Sequence, residues 1–138
     1  LYALDTATGK VLWTFEAQKE IGSKVTTGGK AVYVGAEDHH VYALDKKSGI
    51  LIWKFATEGV VRSGASLQNG ILYIGSYDGS LYALDAEKGE LVWKGPMGGP
   101  VHGTPLVWGD TVVAGDDTGL VRAFVTDLKQ LKPVSLGE

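Results

Sequence analysis

Val41-Tyr42-Ala43-Leu44-Asp45 stands forty residues after Leu1-Tyr2-Ala3-Leu4-Asp5 and forty before Leu81-Tyr82-Ala83-Leu84-Asp85. Trp13, Trp53 and Trp93 keep the same interval, as do Gly9, Gly49 and Gly89, and Gly35, Gly75 and Gly115. A fourth copy, Val121-Arg122-Ala123-Phe124-Val125, has lost the Tyr and the Asp. No insertion disturbs the register. A fixed period of this length means one supersecondary unit copied and stacked, each copy burying its apolar faces only against its neighbours.

Within one unit every local signal is β. Asn69-Gly70 and Asp78-Gly79 are hairpin turns, since these residues tolerate positive φ. Ser63 to Leu67 reads as a short strand, and Ile71-Leu72-Tyr73-Ile74-Gly75 as an apolar strand covered on both faces. Leu81-Tyr82-Ala83-Leu84 forms a third strand. After the Lys88-Gly89 turn, Glu90-Leu91-Val92-Trp93-Lys94 alternates polar and apolar like a half-exposed fourth. Four antiparallel strands per forty residues predict propeller blades. Strands are expected near 31–36, 40–45, 51–55, 71–76, 80–85, 91–94 and 111–116.

The fold class predicted is therefore all-β, and residues 1–138 are read as a partial β-propeller. It divides into a half blade at 1–15, blades at 23–55 and 63–94, and a degenerate blade at 103–133. That is about 3.5 blades of a larger, seven- or eight-bladed ring. Further blades from a longer parent chain, or self-association with a second copy, are expected to complete it, because an open arc leaves strand edges and an apolar face uncovered.

Composition narrows the function classes. The chain is 44% hydrophobic and 21% charged, as a packed domain requires. A net charge of -3 supplies no clustered basic surface, so no nucleic-acid partner is expected. No apolar run is long enough for a membrane-spanning helix. The absence of cysteine removes disulfides, thiol chemistry and thiolate zinc sites.

The repeated phrase resembles the tryptophan-docking motif of the PQQ-repeat (quinoprotein-like) propeller family. It reads Ala3, Asp5, Gly9, Trp13, then Ala43, Asp45, Gly49, Trp53, then Ala83, Asp85, Gly89, Trp93. The resemblance covers residues 1 to 125. It implies that each Trp lies on an outer strand against the next blade, that each Gly makes the turn before it, and that each Asp ties that turn. It also implies a choice between two branches. Quinoprotein dehydrogenases hold pyrroloquinoline quinone and calcium, sandwiching the quinone between a Trp and a vicinal disulfide. Cofactor-free scaffolds of the outer-membrane assembly lipoprotein type hold neither. Without cysteines or loop insertions, the chain is closer in character to the second branch. The expectation is a non-catalytic scaffold with no cofactor and a protein partner, in the periplasm or at the cell surface. The alternatives are a fragment of a dehydrogenase, or a sensor domain of a larger signalling protein.

Positions repeated in every blade are read as structural, so no catalytic, cofactor or metal residue is assigned among them. Function is expected where the repeats differ, in the loops. Gly22, Arg62 and His102 occupy equivalent places before the innermost strand, which makes Arg62 and His102 the candidate channel or partner contacts. A second loop set is Glu37-Asp38-His39, Tyr77-Asp78-Gly79 and Asp116-Asp117-Thr118. His39 and His40, as neighbours on a strand, would point to opposite faces and so not share a metal. Trp108, the one tryptophan off the forty-residue grid, is a further candidate contact beside a turn at Gly109-Asp110.

Overall fold

The structure, a computed structural model, describes residues 1–126. Among the described residues thirteen strands form four antiparallel sheets, in each of which strands adjacent in sequence pair with one another. The first holds β1 (Tyr2–Leu4) and β2 (Val11–Thr14). The second runs β3 (Thr26–Gly28), β4 (Ala31–Gly35), β5 (His40–Asp45), β6 (Leu51–Ala56). The third runs β7 (Ala65–Gln68), β8 (Ile71–Ser76), β9 (Ser80–Asp85), β10 (Leu91–Pro96). The fourth holds β11 (Leu106–Trp108), β12 (Thr111–Gly115) and β13 (Val121–Val125). Residues 127–133, expected to complete the last blade, lie outside the described residues. No helix among the described residues is long and apolar enough to cross a membrane.

The apolar strands sit where the sequence puts them, and glycine or asparagine takes positive φ at the turns, as at Asn69 and Gly70. Two features differ from the sequence reading. The innermost strand of the third sheet starts at Ala65 rather than Ser63, because Ser63 Oγ accepts a hydrogen bond from Gly75 N instead of extending the ladder. The outermost strands do not simply alternate. Ala43 lies opposite Trp53 but Leu44 opposite Leu51, so Ile52 is an extra, bulged residue. The same bulge leaves Leu12 and Val92 over in their sheets. A bulge bends and twists its strand, and here it keeps each Trp opposite an Ala.

Alternation of side chains sends one face of each sheet to the preceding blade and the other to the next. Tyr33, Val41, Ala43 and Trp53 of the second sheet pack with Leu72, Ile74, Tyr82 and Leu84 of the third. Tyr73, Leu81 and Ala83 then pack with Val112, Ala114 and Phe124 of the fourth. Val34, Tyr42 and Leu44 cover Leu1, Trp13 and Phe15 of the first. Ala43, Leu44, Ala83 and Leu84 are thereby closed off from water on both faces.

Candidate interaction face and blade junctions

The repeated positions fasten one blade to the next. Trp13 Nε1 donates to Lys46 O at 3.1 Å and Trp53 Nε1 to Ala86 O at 3.0 Å, in each case on the following blade. Tyr33 Oη donates to the same Ala86 carbonyl. The rings of Trp13 and Trp53 lie on Gly49 (φ 71°) and Gly89 (φ 72°), where no Cβ stands in the way. Asp5, Asp45 and Asp85 each accept through Oδ1 the amides two and three residues on, which ties the turn ahead of the glycine. Gly35 and Gly75 give room to the buried Val61 and Val101.

Trp93 departs from the pattern. Its ring lies over Gly95 and meets Phe124 edge-on at 4.8 Å. Gly95 stands where the other blades have Phe15 and Phe55, which pack on Tyr42 and Tyr82. Trp93 still lies between blades, as Trp13 and Trp53 do, but its ring is seated differently; residue 129, forty on from Gly89, lies outside the described residues. With no Phe at 95, the indole folds back into that space.

Nearest the axis, side chains stitch adjacent innermost strands to one another. Thr26 Oγ1 donates to Ala65 O, Ser63 Oγ to Gly103 O, Ser66 Oγ to Pro105 O and Gln68 Nε2 to Gly109 O. Each bond spans about one repeat.

The loop residues that vary between blades converge at one end of these strands. The Arg62 guanidinium grips Glu37 through Nε and Nη2 and lies 5.8 Å from the Tyr77 ring centroid. Tyr77 meets His102 edge-on at 5.9 Å. Glu37, Arg62, Tyr77 and His102 thus form a continuous stair across three blades. The pairing with Glu37 raises the Arg62 pKa further above neutrality. Beside the stair lies an open cleft of about 560 Å³, whose lining includes Lys24, Arg62, His102, Thr104, Asp116 and Asp117. Gly22 lies against the Arg62 side chain, so the three grid-equivalent positions sit in a row.

Behind the stair, carboxylates hold the strand-connecting loops. Asp38 Oδ2 accepts Gln18 N and Tyr42 Oη, and Asp78 Oδ2 accepts Glu58 N and Tyr82 Oη. Burial, then the bond to Asp38, pushes the Tyr42 hydroxyl up to about 12. In the last blade this role falls to Asp116, whose Oδ2 accepts Gly98 N and Gly99 N. Asp116 is two residues short of the position forty on from Asp78, so the third loop aligns by function and not by count. Its carboxyl sits at about 2, held there first by the Thr118 hydroxyl, against burial, with the amides of Gly98, Thr118 and Leu120 adding to the effect.

His39 lies in the turn with φ 70°, the place that Gly79 and Gly119 take in later blades. It is His40 that starts the strand, with Nδ1 against Asp38 O at 2.8 Å. The turn, not strand alternation, separates the two rings. Among the described residues no group of three His, Asp or Glu is placed to hold a metal. Trp108 stands 82% exposed at the opposite end of β11 from His102, outside the stair.

Four antiparallel sheets packed face to face, three of them stitched along their innermost strands, define a β-propeller of the PQQ-repeat class. The family model described as outer membrane protein assembly factor BamB matches residues 1–63 and 40–131, and the chain belongs to that family. No curated protein matches. Among solved structures, BamB from Moraxella catarrhalis is 28% identical with a TM-score of 0.81, over 92% of this chain and 40% of that one. The computationally designed Ika4 protein shares the fold at 20% identity and a TM-score of 0.80, over 89% of this chain and 77% of that one. A quinohemoprotein alcohol dehydrogenase from Pseudomonas putida HK5 is 25% identical with a TM-score of 0.71, over 80% of this chain and 20% of that one. This chain spans about 40% of the length of the BamB structure it matches.

Proposed function

We propose that the chain is a non-catalytic protein-binding segment of a propeller that serves outer-membrane protein assembly on the periplasmic side. The observation that carries this reading is the stair from Glu37 to His102. The repeated residues are consumed in packing and turn formation. The charged and aromatic residues that vary gather on one loop face, beside an open cleft. Such a face suits a partner's backbone and polar side chains. The dehydrogenase branch fits the residues poorly. There is no cysteine pair to back a quinone. Trp53 is buried in a blade junction and Trp13 is bonded into another. No acidic cluster for calcium stands among the described residues.

A photo-crosslinking amino acid placed at residue 102, and in a separate variant at Lys88 in an outer turn, tests the reading in cells. Adducts to protein from residue 102 and none from residue 88 are expected. Equal labelling from both, or none from 102, would refute it. Tight stoichiometric binding of pyrroloquinoline quinone in a calorimetric titration with calcium would place the chain in the other branch.

A further inference from the structure

Between the second and third sheets lies a groove of about 720 Å³. Both sheets have all four strands, and every residue lining the groove falls between Gly28 and Glu87, inside the chain. The turns that line it close β3 and β7, whereas Arg62 and His102 of the stair precede β7 and β11. The groove is thus at the other end of the innermost strands. Its apolar lining includes Tyr33, Ile52, Leu67 and Ile71.

Two breaks in the repeat shape it. Gly28 and Gln68 stand forty residues apart. Gln68 sends Nε2 to Gly109 O and bridges the next junction. Gly28 has no side chain to do the same, and nothing stands within 4 Å of where a Cβ would lie on Gly29 or Gly70. The second break is at Asp85. The hydroxyls of Thr8 and Ser48 donate to Asp5 and Asp45 in the earlier sheets. Lys88 takes that place in the third, so the Asp85 carboxylate keeps the two turn amides without a hydroxyl. Asp85 and Glu87 both line the groove, with Lys30 as the opposing charge. Among the described residues no ion pair engages any of the three. Two carboxylates against one ammonium leave the lining net negative. Of its apolar residues only Ile52 is exposed. The apolar surface is therefore recessed, which suits a small molecule better than the broad face a protein partner needs, and the volume lies within the range of small-ligand sites, about 300–1,000 Å³.

We infer that this groove binds a small organic amine, its aromatic or branched aliphatic body on Leu67 and Ile71 and its ammonium toward Asp85 and Glu87. The site does not rest on the partner proposed for the stair. Amide NMR titration of the 138-residue chain tests it. The probes are phenethylamine, hydrocinnamate, which has the same body and the opposite charge, and butylamine, which has the charge and no ring. Phenethylamine is expected to give saturable shifts at the amides of Gly28, Gly29 and Gly70 in the millimolar range. Hydrocinnamate should bind at least about five-fold more weakly, and butylamine at least about ten-fold. Gly28→Gln, for which the tip of Leu67 must swing aside, should close the groove and weaken phenethylamine at least about ten-fold. Glu87→Lys, at an exposed position, should reverse the preference in favour of hydrocinnamate. Circular dichroism checks the fold of both variants, and if Gly28→Gln does not fold, Glu87→Lys decides. No saturable shift at these amides would overturn the inference. So would equal affinity for phenethylamine and hydrocinnamate, undiminished binding to a folded Gly28→Gln, or an unchanged preference in Glu87→Lys.

Discussion

Replacing Gly89 by Ala should cost more stability than the same change at Gly9, although both glycines make the same turn with nearly the same φ, 72° and 69°. A side chain in the left-handed region costs about 1–2 kcal/mol wherever it stands. At Gly9 nothing lies within 4 Å of the added carbon, so that cost is the whole effect. At Gly89 the carbon would lie 2.5 Å from Cδ2 of Trp53, where an ordinary contact is about 3.5–4 Å. The ring must withdraw. Overpacking costs about 1–3 kcal/mol, and the bond from Trp53 Nε1 to Ala86 O, worth about 1 kcal/mol, is strained or lost. Ala86 O keeps the Tyr33 hydroxyl, so no buried carbonyl is orphaned. Gly9→Ala should therefore cost about 1–2 kcal/mol and Gly89→Ala about 2–6, centred on about 4. Urea unfolding followed by far-ultraviolet circular dichroism measures both. Losses equal within about 0.5 kcal/mol would show that the seat of Trp53 on Gly89 adds nothing to the junction.

Ser63→Ala should destabilise by about 1–3 kcal/mol in the same assay, since it strips the buried Gly75 amide of its acceptor and Gly103 O of a donor. Trp108→Ala should change stability by less than about 0.5 kcal/mol, because the ring is exposed. Carbon-detected titration should find the Asp116 carboxyl at about 2 in the folded chain. Because that value is depressed, its contribution to stability is complete above the ordinary carboxylate range and is lost as pH falls through about 2; it should shrink in Thr118→Val, where the carboxyl moves up but keeps the amides of Gly98, Thr118 and Leu120. Gly75→Val should disrupt the junction between the third and fourth sheets, where Val101 fills the space, and leave the chain aggregation-prone on expression.

The architecture was legible because the repeat imposes itself on local chemistry. β-branched and aromatic runs, hairpin glycines and a fixed interval all point to one answer. What escaped the sequence reading depends on contacts between blades. The bulges at Leu12, Ile52 and Val92 arise because each Trp must face the next blade, a demand that the alternating pattern conceals. Asp116 replaces Asp78 from a position two residues off the grid, which is visible only once its bonds to Gly98 and Gly99 are seen. Arg62 and His102 were singled out by their variation alone. Glu37 and Tyr77 stood in the second loop set, but nothing in the sequence joined the two sets into one stair. The inter-blade bonds of Thr26, Ser66 and Gln68 left no trace beyond a polar residue in a short strand.

The stitches along the innermost strands bear on how the chain comes apart. Bonds within a sheet join near neighbours in sequence, and those between sheets reach only about one repeat further. Folding can then spread from blade to blade, and opening can begin at an end without waiting for the whole chain. Amide exchange should record a gradient, slowest in β5 and β9, which are sheathed on both faces, and fastest in β1 and β13. A length of chain with this grain behaves less like a single cooperative lock than like a zip, which loosens one junction at a time.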